Sequence, residues 1–306
     1  MEVEGGLNAA TPRRSRPTGR LLLVANAKAS GLSGGAGVVD DAVRALRSRG
    51  ATVETHLTEG LDELAETLAG AEERVVLLGG DGSVHAVANL PPPLPELALL
   101  PAGRANNIAR SLGIPLELPA AAALAVDGAA RAIDAIDARS ESRRYRAVEG
   151  ISAGFHAMAR VKYRADNSAA LLHGLTVGLE TLWKFEPVNF VFESNGEQEV
   201  ITVGQIFAAN LPLYGFGLRV APSADPADGE LDVVTIETRS RRALVAMIPR
   251  LRRGTHYGLP GVRTWRAKSV RIDPGGASPV VADSTDLGSG RVELTVAPAA
   301  LEVVTP

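Results

Sequence analysis

Val75-Val76-Leu77-Leu78-Gly79-Gly80-Asp81-Gly82-Ser83 is the stretch that decides the fold. An unbroken run of β-branched residues and leucine suits a parallel strand buried on both faces. It runs into a glycine-rich turn at the start of a helix predicted over residues 83–90. Glycines in such a turn let backbone N–H groups approach a ligand, and the partial positive charge of a helix N-terminus suits phosphate. Asp81 adds a carboxylate at the mouth. A lone Gly-Gly-x-Gly is equally well read as a plain strand-to-helix turn with an aspartate cap.

The flanking sequence repeats the pattern. Leu21 to Ala25 is a short apolar run that delivers Asn26, and residues 27–37 are rich in Gly, Ser and Ala. Val38 to Arg49 has helical spacing, with Val39, Val43 and Leu46 on one face and Gly50 as the stop. Ala51 to Thr58 alternates as a second strand, and Leu61 to Ala71 is helical again. After the turn at Pro91 to Pro95, Leu97 to Leu100 enters a second glycine loop, Pro101-Ala102-Gly103-Arg104-Ala105-Asn106-Asn107. Four strands alternating with three helices predict a doubly wound α/β domain, whose ligand site lies at the edge that Asn26, Thr58 and both glycine loops share. Beyond Asp137 the period falls to two, in Ala147 to Ile151, Val188 to Glu193, Val200 to Ala208, Leu231 to Ile236, Ser269 to Ile272 and Val292 to Val296. Helical spacing returns only near residues 156–184 and 240–253. The expected organisation is therefore a disordered tail over 1–19, an α/β domain over 20–137 and an antiparallel β-rich domain over 138–306, its last strand a candidate to return toward the first domain.

Composition narrows the function. The 306 residues are 45% hydrophobic and 22% charged, enough to bury two cores and unlike a disordered chain. The formal charge of -3 provides no field for nucleic acid. Without cysteine there is no disulfide, thiolate catalysis or zinc ribbon, which fits a cytoplasmic protein. No apolar run approaches a membrane span, since the Ala-rich candidate at residues 116–136 carries Asp127, Arg131 and Asp134. Five scattered histidines show no metal-ligand spacing, which argues against a histidine metal site. Arg239, Arg241, Arg242, Arg250, Arg252 and Arg253 flank Ala243 to Ile248. That segment suits either a solvated basic helix face or peripheral contact with anionic headgroups at the inner membrane surface.

The two glycine loops, taken in order, resemble the diacylglycerol kinase catalytic-domain family, bacterial and eukaryotic lipid kinases that include sphingosine and ceramide kinases and are related to NAD kinases. Gly79 to Ser83 is similar to the family's Gly-Gly-Asp-Gly-Thr, and Pro101 to Asn107 with Ala109-Arg110 and Leu112-Gly113-Ile114 is similar to its second loop. Asn210, Gly215-Phe216-Gly217, Ala221 to Asp225 and Asp228-Gly229-Glu230-Leu231-Asp232 resemble its β-domain signature. The resemblance implies an NAD kinase-like α/β domain, a β-rich substrate domain and an active site in the cleft between them. It implies ATP and Mg2+ as cofactors and a lipid hydroxyl, as in diacylglycerol, as acceptor in phospholipid metabolism. Nucleotide contacts carry over to Asn26, Thr58, Gly79, Gly80, Asp81, Gly82, Ser83, Gly103, Arg104 and Asn106. A structural Mg2+ carries over to Asp225, Asp228 and Glu230; without the family, Asp228-Gly229 reads as a turn.

Several functional positions depart from the pattern. His85 and Ala86 stand at the family's usual Asn and Glu, Ala27 at a Pro, Arg104 at a Thr and Asn107 at an Asp. The late Asp-Gly-Glu, whose Glu is taken as general base, aligns with Asp283-Ser284-Thr285, so the candidate catalytic residues are Asp81, Asp283, Thr285 and Asp286. These departures leave open a noncatalytic nucleotide- or phosphate-binding relative and a kinase for a soluble hydroxylated metabolite. The sequence does not fix the oligomeric state, and a homodimer is compatible with it.

Overall fold

The structure is a computed structural model, and it describes residues 19–26, 36–69, 71–165, 171–194, 196–238 and 240–306. The expected tail, apart from Gly19, and the segment after Asn26 that includes Ala27 lie outside the described residues.

Strands β1 (Arg20–Asn26), β2 (Thr52–Thr58), β3 (Arg74–Gly79) and β4 (Leu97–Pro101) pair in parallel in the order β2-β1-β3-β4. Helices α1 (Ala36–Ser48), α2 (Leu61–Ala69), α3 (Asp81–Ala88), α4 (Asn107–Ser111) and α5 (Leu118–Asp127) alternate with them. All six residues of β3 are buried, as its unbroken apolar sequence requires. Leu22, Val24, Val75 and Leu77 face one core, and Leu21, Leu23, Val76 and Leu78 face the other.

The second half begins with β5 (Ala129–Ser140), β6 (Arg144–Ala147) and β7 (Gly150–Gly154), followed by α6 (Phe155–Ala165) and α7 (Leu171–Trp183). Then come β8 (Val188–Ser194), β9 (Glu197–Val203), β10 (Gln205–Ala209), β11 (Leu231–Ile236), α8 (Arg241–Arg253), β12 (Val262–Ala267), β13 (Ser269–Asp273), β14 (Val280–Ala282), β15 (Thr285–Asp286) and β16 (Val292–Thr305). One antiparallel sheet runs β12-β11-β10-β7-β14-β15. It packs on the β13-β8-β9 end of the other sheet through Phe190, Phe192, Ile206, Val233 and Ile272. The chain is thus an α/β protein with an antiparallel β-sheet domain.

Expected boundaries shift in places. Val200 to Ala208 is two strands in different sheets, broken at Gly204, where a Cβ would lie 2.9 Å from Thr238 and 3.0 Å from Phe185. Ala147 to Ile151 spans the gap between β6 and β7, and the helical region 156–184 carries α6 and α7 on either side of residues outside the described ones. The unforeseen strand is β5, an alanine-rich segment whose partner β16 lies more than 150 residues away in sequence. β16 pairs with β5 along most of its length, with β13 at one end and with β4, at Val303 and Leu97, at the other. The last strand therefore joins the sheets of both halves. The pairing shifts register between Ala297 and Leu301, where buried Asp134 accepts the Ala299 N–H at 2.9 Å and the Gly229 N–H at 2.8 Å.

His156, in the first turn of α6, packs beside Phe207 and Tyr214, and its Nδ1 lies 3.0 Å from Ser152 Oγ. Burial, helped by the charge of Arg160, lowers its pKa from 6.5 to about 3. The folded protein thus excludes a proton that the unfolded chain binds below pH 6.5, and stability falls as pH drops from 6.5 toward 3. We expect urea midpoints to fall between pH 7 and pH 5, and His156→Gln to flatten that slope; an unchanged slope in the variant would remove His156 as a cause.

Candidate active site

The four strands of the parallel sheet end at one cavity of about 920 Å³. Register sets Asn26 beside Thr58, and both line it. Gly80, Asp81, Gly82 and Ser83 line it from the β3–α3 turn, and Gly103 and Arg104 from the β4–α4 loop. The far wall comes from the β domain, with Glu149, Arg160, Tyr163, Gly215 to Gly217, Asp283 and Ser284.

The two glycine loops touch each other. A Cβ on Gly80 would sit 2.8 Å from Gly103 Cα, and one on Gly103 would sit 2.5 Å from Gly80 Cα, so neither position admits a side chain. Asn106, in the left-handed region at φ 48, accepts from Gly103 N and donates to Gly103 O, both at 2.9 Å. Asn106 and Gly79 thus shape the loops from behind rather than line the cavity. Gly82 is different: a Cβ there would meet nothing within 4 Å, and its backbone faces the cavity. Asp81 Oδ1 accepts the Ile108 N–H at 2.9 Å, which joins the two loops a second time.

Behind this floor lies a buried charged group of which the sequence reading named only Asp283 as a candidate. Asp283, its side chain inaccessible to solvent, accepts N–H bonds from Val148 (2.9 Å), Glu149 (2.9 Å) and Gly150 (3.1 Å). Glu149 Oε2 accepts the Asn107 amide at 2.8 Å, and the same amide reaches Gly215 O at 2.7 Å. His85 Nε2 lies 3.1 Å from Glu149 Oε1 and 3.4 Å from Asp283 Oδ2. Burial alone would lower the His85 pKa, but the carboxylates of Asp283, Glu149 and Asp81 outweigh it and raise the value to about 9. Burial raises Glu149 above the usual carboxylate range, opposed by His85. His85, Glu149 and Asp283 come from α3, the β6–β7 turn and the end of β14, so no local spacing could have announced them.

Thr285 and Asp286 line a separate cavity of about 370 Å³ with Arg143, and not the main cleft. Of the candidate catalytic residues, only Asp81 and Asp283 reach the cleft. The carboxylates of the expected Mg2+ set each face an arginine: Asp225 faces Arg131, while Asp228 and Glu230 share Arg266.

Residues 20–138 match the diacylglycerol kinase catalytic domain, and residues 149–305 match the YegS C-terminal NAD kinase beta sandwich-like domain. The chain belongs to the diacylglycerol kinase family. A Mycobacterium tuberculosis diacylglycerol kinase is 32% identical over 253 residues, 79% of this chain and 80% of that protein. A Stenotrophomonas maltophilia probable lipid kinase YegS-like is 29% identical over 265 residues, 81% and 82% of the two chains. A putative diacylglycerol kinase structure from Bacillus anthracis shares the fold at TM-score 0.73 and 18% identity, covering 94% of this chain and 97% of that one. Yeast NADH kinase in complex with NADH shares it at TM-score 0.54 and 11% identity, covering 97% and 88%. Within this family frame, Asn107 has a local reason in this chain: its amide donates to Glu149, which an aspartate there could not do.

The two glycines separate folding from binding. Gly82→Val should keep the melting temperature near wild type and weaken ATP binding at least about tenfold. Gly80→Val should itself lower stability by about 1–3 kcal/mol, because Gly103 leaves no room. Calorimetric ATP titration with thermal melts checks both, and unchanged ATP affinity in folded Gly82→Val would remove this loop from the nucleotide site.

Proposed function

We propose that the chain is an ATP- and Mg2+-dependent lipid kinase that phosphorylates the hydroxyl of diacylglycerol or a similar lipid. The observation that carries this reading is the convergence of both glycine loops, Asn26 and Thr58 on one large cleft faced by the β domain. The cleft fits a nucleotide: Gly82 leaves open space along exposed backbone, and Ser83 offers a hydroxyl in the first turn of α3. Arg104, Arg110 and Arg160 add cations around the opening, and Asp81 places a carboxylate among them to face metal-bound phosphate. ATP supplies the phosphoryl group and Mg2+ screens its charge. This chain's residues hold and orient the phosphates, and Phe216, flanked by Tyr163 and Arg160, gives the acceptor side an aromatic wall. Phosphoryl transfer depends chiefly on positioning and charge stabilisation, which the cleft offers without Thr285.

The test is ADP release with ATP, Mg2+ and a panel of lipids, diacylglycerol among them. We expect Asp81→Asn, which keeps an oxygen for the Ile108 N–H, to cut kcat by about 10²-fold or more. Thr285→Glu should leave the rate unchanged, since its side chain belongs to the neighbouring cavity. ATP binding without turnover on any acceptor would favour the noncatalytic reading.

Peripheral membrane contact is part of this proposal. On α7, Leu179 and Trp183 are 66% and 76% exposed, and the Arg241 guanidinium of α8 sits 5.7 Å from the Trp183 ring. Exposed Val245 and Ile248 extend the patch along a helix that also carries Arg242, Arg250, Arg252 and Arg253. This pairing of aromatic, aliphatic and cationic groups suits an anionic bilayer surface. Trp183→Ala with Arg241→Ala should reduce sedimentation with phosphatidylglycerol vesicles severalfold, and equal sedimentation would remove this face as the contact.

A further inference from the structure

Among the described residues, one group of side chains is arranged as metal ligands are: His85, Glu149 and Asp283, whose ligand atoms all lie within 4.8 Å of one another. All three side chains are at least nine-tenths buried, yet each borders the main cavity. His85 Nε2 is 3.1 Å and 3.4 Å from the two carboxylate oxygens, but neither is aligned to accept a hydrogen bond from the ring. Separations of this size match those between ligands of a shared ion. Around a four-coordinate ion at about 2.0–2.1 Å, neighbouring ligand atoms stand about 3.3 Å apart and aim at the ion rather than at each other.

The outer contacts hold the same oxygens in place. Asn107 occupies Glu149 Oε2 and leaves Oε1 toward His85. Glu149 N and Gly150 N occupy Asp283 Oδ1, while Oδ2 accepts the Val148 N–H alone and keeps capacity for a second partner. We infer that His85, Glu149 and Asp283 form a site for a first-row transition dication of the Zn2+ class, with its remaining coordination position open to the cleft. One imidazole and two carboxylates suit such an ion better than Mg2+, which takes oxygen ligands and keeps its waters. Three protein ligands beside an open cavity form the arrangement of a site that admits a water or a ligand oxygen.

Metal titration requires neither nucleotide nor acceptor, so its outcome stands apart from the kinase reading. Tag-free full-length protein, stripped by chelation, is titrated with Co2+ for its visible d–d absorption and with Zn2+ by calorimetry. We expect one ion per chain, Zn2+ displacing Co2+, and no displacement by millimolar Mg2+. His85→Asn and Glu149→Gln should each weaken Zn2+ binding at least about 100-fold and abolish the Zn2+-induced rise in melting temperature, with circular dichroism confirming that each folds. Should one variant fail to fold, the other carries the test. Absence of Co2+ and Zn2+ binding by wild type would overturn the inference, leaving His85 as a protonated partner of the two carboxylates. Undiminished binding in the folded variants would overturn it equally, by placing the ion elsewhere.

Discussion

A single carboxylate with no solvent access holds the cleft together. Asp283 sits at a left-handed backbone position (φ 49) at the end of β14 and gathers the N–H groups of three consecutive residues at the start of β7. An ionised carboxylate is expensive to bury unless such donors satisfy it. Once they do, the main chain at Val148 to Gly150 has little freedom. Val148 then packs in the core beneath α3, Glu149 projects toward His85, and Tyr214 donates its hydroxyl toward the carbonyls of Val281 and Asp283. The position of the β-domain wall relative to the glycine loops follows from this one capture.

The α/β half was legible because its signals are local. An unbroken apolar strand beside glycine, repeated with the same polarity, fixes both the parallel sheet and the edge at which ligands gather. The fold of the second half was legible in kind, since period-two segments announce antiparallel sheet, but not in its pairing. Gly204 turns what reads as one strand into two in different sheets, and β5 finds β16 only by long-range contact, despite an alanine content that favours helix.

The site divides in the same way. Gly80, Gly82 and Gly103 were readable from their turns, although contact between the two loops, not only ligand approach, is what excludes side chains at Gly80 and Gly103. Glu149 stood in no motif, and His85 registered only as a departure from one. Their significance arises from meeting Asp283 across 134 and 198 residues of sequence, and spacing rules carry no information at that range. Asp225, Asp228 and Glu230 form a local cluster of acids that the sequence shows plainly, whereas the arginines beside them arrive from β5 and β12 and were not legible.

The long pairing of β16 bears on how the chain is made. On the ribosome, β4 emerges some 200 residues before Val303, the residue that covers its free edge. Until then, an apolar strand with unpaired amides waits at the margin of an otherwise assembled parallel sheet, the kind of edge that templates pairing with other chains. The two halves are therefore successive in synthesis but not independent in completion. The same strand that closes the β domain also pairs with the parallel strands at β4, so the cleft comes into being only once β16 has been made.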